Sequence, residues 1–276
     1  MRFHWLCTPL ALILALGGAP ADTWAAGTRS KRPKAQQSSG GAFELTADES
    51  VAEQVNDPTS FLREIGVDTS VEHGTGRNHT LVEWTPWLAL PLGQRFRFQA
   101  GIPIIANGPE DRDDMELGDV YASLAYIFAS SRDANFLADV RLDLPTGNEL
   151  REAGLNVAQW HAALGSVIYT FQDRGFLIIP WLEYRRSMFG KAESRKVSSL
   201  LSSVRVVYFL SEDSYVRGEG TLSFNEHQDW RDAGLLGFEV GRVFWHRFSV
   251  AVGYECDLWG DAEIRNAANV SLSYLF

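Results

Sequence analysis

The stretch FSVAVGYECDL, residues 248–258, decides the fold. Phe248, Val250, Val252, Tyr254, Cys256 and Leu258 occupy every second position, with Ser249, Ala251, Gly253, Glu255 and Asp257 between them. Glu255 and Asp257 cannot share surroundings with the apolar residues beside them. A period of two puts the two sets on opposite faces of a sheet. The length of the run matters as much as its period. A tilted transmembrane strand needs about ten residues, whereas strands of soluble proteins average about five or six.

Working outward, the same rhythm recurs. Phe136, Ala138, Val140, Leu142 and Leu144 alternate with Leu137, Asp139, Arg141 and Asp143, and Phe96, Phe98, Ala100 and Ile102 oppose Arg95, Arg97 and Gln99. About twelve such runs follow one another: 62–72, 78–90, 95–104, 117–128, 135–144, 159–171, 175–187, 197–210, 215–224, 233–244, 248–258 and 267–276. The links around Leu92-Gly93, Gln172-Asp173, Ser211-Glu212-Asp213 and Trp245-His246-Arg247 read as tight turns. Those spanning Ile105 to Glu116, Pro145 to Ala158 and Met188 to Lys196 are longer and polar, and Ala129 to Ala134 is longer than a minimal turn. Short turns at one rim, longer loops at the other and an even strand count are the habit of outer-membrane barrels.

The chain closes on NVSLSYLF, residues 269–276. Val270, Leu272, Tyr274 and Phe276 alternate with Asn269, Ser271 and Ser273, and Leu275 is the apolar exception on the polar face. An exposed soluble edge strand of this kind would invite aggregation. The pattern resembles the C-terminal signature of bacterial outer-membrane proteins, which implies recognition of Leu272, Tyr274 and Phe276 by the barrel-assembly machinery. Trp84, Trp160, Trp245, Trp259 and Tyr274 fall at or near strand ends, where amphipathic rings settle at a membrane interface. The fold expected is all-β: an antiparallel transmembrane β-barrel of about twelve strands.

Composition agrees. The chain has 276 residues, 45% apolar and 12% aromatic with nine Trp, yet its mean hydropathy is only -0.13. Helical membrane proteins need several runs of about 20 apolar residues; a barrel needs only one apolar face per strand. The net charge of -10 argues against nucleic acid as a partner, because phosphate binding needs concentrated Lys and Arg.

Residues 1–25 read as a signal peptide, with Arg2, the apolar run Leu10 to Leu16, and small-residue cleavage sites at Ala19-Pro20-Ala21 or Thr23-Trp24-Ala25. Its removal would take Cys7 and leave Cys256 alone, with no internal disulfide and no cysteine-based metal site. Residues 26–60 read as a flexible periplasmic segment, polar and basic at Arg29, Lys31, Arg32 and Lys34. A short helix is expected within Leu45 to Asn56 before Asp57-Pro58 breaks it. The barrel is then 61–276, in the bacterial outer membrane and in contact with its lipids.

The sequence holds no complete catalytic constellation. His73-Gly74-Thr75 with Arg77-Asn78 lacks a serine nucleophile, and His161 with Asp139 and Asp143 reads as structural. Six His without a tight cluster suggest no metal site, and no cofactor or catalytic residue is assigned. The inward polar positions are more informative. Arg95, Arg97, Asp119, Asp139, Arg141, Asp143, Glu183, Arg185, Arg205, Glu239 and Glu255 project into the lumen, joined by Glu83, Arg217, Glu219 and Asp257. Both signs are interleaved. Such a lumen reads either as a paired-charge network filling the barrel or as a narrow polar path for a solute.

Gly118-Asp119-Val120 opens the strand running to Tyr126-Ile127-Phe128, and the next strand closes with Leu142-Asp143-Leu144-Pro145-Thr146-Gly147. This pair resembles an element of the outer-membrane family associated with the meta-pathway of phenol degradation, whose members are described as transporters. The resemblance implies a barrel admitting small organic solutes, aromatic ones among them. It carries over no residues beyond Asp119 and the Pro145-Thr146-Gly147 turn. Passive, porin-like transport of such a solute is the function expected, with the loops Ile105–Glu116 and Pro145–Ala158 as the mouth. The alternatives are a structural or adhesive barrel with a plugged lumen and, behind it, a lipid-modifying or proteolytic barrel enzyme.

Overall fold

The computed structural model describes residues 51–74, 80–107, 115–131, 133–147, 157–170, 175–190, 198–225, 233–259 and 265–276. Expectations for the leader, for 26–50, and for Thr75, Arg77, Asn78, Gln172 and Asp173 lie outside them. A short helix, α1 (Val51–Asn56), precedes the strands. These are β1 (Glu64–Gly74), β2 (Thr80–Pro91), β3 (Phe96–Gly101), β4 (Ile104–Asn107), β5 (Met115–Leu117), β6 (Val120–Ser130) and β7 (Ala134–Leu144). There follow β8 (Val157–Thr170), β9 (Phe176–Gly190), β10 (Ser198–Phe209), β11 (Ser214–Asn225), β12 (Ala233–Phe244), β13 (Phe248–Trp259) and β14 (Arg265–Leu275).

The sheet closes on itself, since β1 pairs antiparallel with both β14 and β2. Two crossings are interrupted. β3 and β4 both pair with β2, so they are one strand broken at Ile102-Pro103, where proline offers no N–H to the ladder. β5 continues into β6 past Gly118-Asp119, and Gly118 donates its N–H to the Pro103 carbonyl at 2.8 Å, bridging the two breaks. Counting each as a single strand makes a twelve-stranded antiparallel barrel. A strand of about eleven residues tilted by about 45° covers roughly 25 Å of membrane normal, the height of the apolar band of such barrels.

One rim carries the short connections: 92–95, 131–133, 210–213 and 245–247. Gly93 (φ 84°) shapes the first, and Trp245 and His246 (φ 51° and 57°) are the central residues of the last, closed by the Arg247 N–H on the Phe244 carbonyl at 3.1 Å. Arg63 and Phe276 meet at this rim through the N–H of Phe276 and the Arg63 carbonyl, 3.1 Å apart. At the other rim the strands outlast the expected runs. Ile105 pairs with Glu116 in the ladder, and Ala158 and Met188 lie within β8 and β9, so the expected mouth loops begin later and end earlier. The backbone ladder continues past the point where apolar alternation stops.

Outward positions are apolar, with Val140 and Leu164 more than half exposed toward where lipid would lie. Inward, Leu137, Val167, Leu177, Ile179, Val207, Tyr215 and Ala251 cluster near the short-turn rim around the fully buried Ala52. The helix expected before Asp57-Pro58 therefore forms, but not in a loose tail. Ala52, Gln54, Asn56 and Asp57 are all buried, and the Ala52 N–H donates to the Glu212 carbonyl of the β10–β11 turn at 3.1 Å. Residues 51–60 correct the expectation of a flexible segment reaching to 60. Phe61, packed with Ala125 and Ile127, anchors the chain as it enters β1.

Candidate functional site

Above α1 the lumen holds a cavity of about 920 Å³, beside a smaller one of about 250 Å³. Arg97, Gln99, Tyr121, Arg141 and Arg185 line both, while Val55 and Asn56 of the helix reach the first and Pro58 the second. Strand register explains which charges meet. Arg141, His161 and Arg185 are direct neighbours across β7, β8 and β9. Two guanidinium groups and an imidazole in one row need acceptors above and below, and Asp143 and Glu183 supply them. Asp143 lies 2.7 Å from the Arg141 Nε and 2.6 Å from the His161 Nε2; Glu183 lies 2.8 Å from the His161 Nδ1 and 2.6 Å from the Arg185 Nε. The buried imidazole thus has a carboxylate beside each ring nitrogen, with Nδ1 hydrogen-bonded to Glu183. The expected pairing of His161 with Asp143 is present, and its second partner is Glu183 rather than a hydroxyl.

Register builds two further pairs. Arg205 faces Glu219 across β10 and β11 at 2.8 Å, and Arg217 faces Glu239 across β11 and β12 at 2.6 Å. Tyr215 also donates to Glu239 at 3.0 Å. Arg97 reaches Glu64 at 3.1 Å, and Arg141 stacks over the Tyr121 ring at 4.0 Å. Five acids, Asp68, Glu72, Glu83, Asp139 and Glu255, make no ion pair among the described residues. Asp68 accepts from Ser271, and Glu83 accepts from Thr85 at 2.7 Å.

Two candidates sit elsewhere. Arg95 is exposed at the short β2–β3 turn, where its carbonyl accepts from Ile127. Asp119 accepts the Gly147 N–H at 2.9 Å, and Thr146 bridges the Val120 N–H and the Gly118 carbonyl. The two halves of the motif, far apart in sequence, thus form one hydrogen-bonded unit. His73, at the end of β1, lies 3.5 Å from the Thr80 hydroxyl.

Sequence reasoning missed four joints that shape the wall. Gly66 lies opposite Trp87, Gly101 opposite Tyr121, Gly165 opposite Trp181 and Gly241 opposite Tyr215. In each the ring folds down over its glycine, so closely that a Cβ there would come within 2.2–2.6 Å of it. The rings lie flat on the wall, and the cavity keeps the space they would otherwise fill. The available signal was a lumen-facing glycine in register with an aromatic, readable only once the pairing is known.

No family model matches the chain, and no curated protein matches it. Solved structures do. An outer membrane channel from Pseudomonas putida F1 is 14% identical, with a TM-score of 0.56 over 85% of this chain and 100% of that one. The NanC porin is 11% identical at a TM-score of 0.54, covering 75% of this chain and 98% of its own. The KdgM porin is 11% identical at 0.52, covering 77% and 99%. At such identities the likeness is one of fold: a closed antiparallel β-barrel.

Proposed function

We propose that the chain is a passive outer-membrane channel for small organic solutes, aromatic ones among them. The observation that carries this reading is the closed twelve-stranded wall around a cavity of about 920 Å³ lined by charged and polar side chains. A water-filled polar lumen inside an apolar outer surface is the physical requirement for a solute path. Tyr121 and Trp87 line that cavity, and the aromatic part of the reading follows the resemblance carried by Asp119 and the Pro145-Thr146-Gly147 turn. Lumen selectivity is assigned to Arg97, Arg141, Arg185, Arg205, Glu239 and Glu255, with Asp139, Asp143 and Glu183 holding the wall between them. The chain would reach the bacterial outer membrane by its signal peptide, be assembled through Leu272, Tyr274 and Phe276, and act without a cofactor.

Single-channel recording of the refolded protein in a planar bilayer tests the reading. Stable current steps that small aromatic solutes block are expected; a folded, heat-modifiable barrel that never conducts would overturn it. The second reading, a structural barrel with a plugged lumen, is favoured by one observation, the burial of α1 among the inward residues at the short-turn rim.

A further inference from the structure

The segment that fills the short-turn rim is held in an unusual way. Ala52 is the apolar residue of α1 that enters the buried cluster; Gln54, Asn56 and Asp57 are buried polar groups. A helix of six residues has no stability of its own in water, so its position depends on its surroundings. Its firm apolar anchor comes later, at Phe61 and Leu62, both buried where the chain enters β1. Between anchor and helix stands one network. Asp57 accepts from the Thr59 N–H at 2.8 Å and from the Thr59 hydroxyl at 2.6 Å, and Tyr169 of β8 donates to its other oxygen. Asn135 of β7 donates to both the Tyr169 and the Thr59 hydroxyls at 2.8 Å.

We propose that Asp57, Thr59, Tyr169 and Asn135 form a releasable latch, and that residues 51–60 are a gate hinged at Phe61 that leaves the lumen when the latch opens. The physical ground is the difference between the two ends of the segment. Apolar burial has no substitute in water, whereas hydrogen bonds of polar groups are exchanged for bonds to water at small net cost. The far end of the segment buries one methyl, that of Ala52, and is otherwise held by polar groups, the Ala52 N–H on the Glu212 carbonyl among them. The near end buries two large side chains, so the segment swings about Phe61 and Leu62. Release would join the large cavity to the space beyond the short-turn rim, because Val55 and Asn56 form part of that cavity's lining. The inference rests on the proposed transport only for its purpose; the movement itself is independent of it.

The test is labelling of Ala52→Cys by a membrane-impermeant maleimide in the full refolded barrel, with Cys7 and Cys256 replaced by serine, alongside conductance of the same protein. Gln54→Cys serves as a second reporter should the thiol disturb packing at 52. Tyr169→Phe and Asp57→Ala are expected to speed labelling about tenfold, the loss of one or two buried hydrogen bonds, and to raise the open fraction of the channel. Asp57→Asn replaces Asp57→Ala if the latter does not show heat-modifiable folding. Equal labelling rates in the parent and all variants would overturn the latch, whether or not the barrel conducts. Faster labelling in a barrel that never conducts would keep the latch and reject the transport reading.

Discussion

A glycine facing the lumen in register with an aromatic ring is a space reserved for that ring. At Gly165 an added Cβ would stand 2.2 Å from the Trp181 ring, inside any allowed separation. Gly165→Ala is therefore expected to push the ring into the lumen and to destabilise the barrel by about 2 kcal/mol, the usual cost of overpacking. Urea titration of the protein in liposomes, read by tryptophan fluorescence, measures it. Gly237→Ala is the control: its Cβ would meet the Glu255 side chain at 3.4 Å, an ordinary van der Waals distance. It should change stability by less than about 0.5 kcal/mol, and equal effects at 165 and 237 would dismiss the joint. Glu183 stands on the same scale. It faces both His161 and Arg185, so Glu183→Ala leaves one buried donor, the imidazole, and one half-exposed guanidinium short of an acceptor. The expected loss is about 2 kcal/mol, the cost of one buried donor left unsatisfied, and Glu183→Gln, which keeps one acceptor oxygen, should lose less in the same titration.

Among the elements, α1 and its trailing turn respond to pH through Asp57. Burial lifts its carboxyl above the ordinary value of 3.8, against the pull of the bonds from Thr59 and Tyr169. A carboxyl raised on docking favours the docked state most fully below its ordinary value, and loses that contribution as pH rises through its docked one. Docking should therefore weaken as pH climbs from about 4 toward neutrality. Divided by the rate of a free thiol at the same pH, which removes the growth of the thiolate itself, the labelling rate of Ala52→Cys should rise over that interval and become flat in Asp57→Asn. A rate that rises equally in both would locate the dependence in another group. The Asp119 unit makes a separate prediction. Asp119→Ala removes the acceptor for Gly147 at the break between β5 and β6, at a cost of about 1 kcal/mol. The conductance should change little, because the residue lines neither cavity.

For the whole barrel, the balance of charge decides what passes. Arg97, Arg141, Arg185, Arg205 and Arg217 each stand within 3.1 Å of a carboxylate. Asp68, Glu72, Glu83, Asp139 and Glu255 are acids over and above those partners. The described lumen is therefore net acidic, and the open channel is expected to prefer cations. A reversal potential in a potassium chloride gradient reads this directly. Glu83→Gln combined with Glu255→Gln should reduce the preference, and so should molar salt, where screening shrinks to about 3 Å. An anion preference in the parent protein would contradict this balance.

Period and length alone determined the strands. Charged residues at alternate positions over runs of about ten admit only a sheet with one wet face and one apolar face, and all twelve crossings stand within a few residues of the runs read from the chain. Alternation also placed Arg97, Arg141, Arg185, Arg205, Glu239 and Glu255 on the wet face, because a period of two is local. Three things waited for the tertiary structure. The partners of each charge depend on register between strands, which brings His161 between Asp143 and Glu183 from three different strands. The glycine joints depend on the same register. The seat of residues 51–60 depends on an interior that exists only after the barrel closes: a polar stretch reads as loose when its partners are unknown. Local chemistry chose the fold; closure decided what occupies the space inside it.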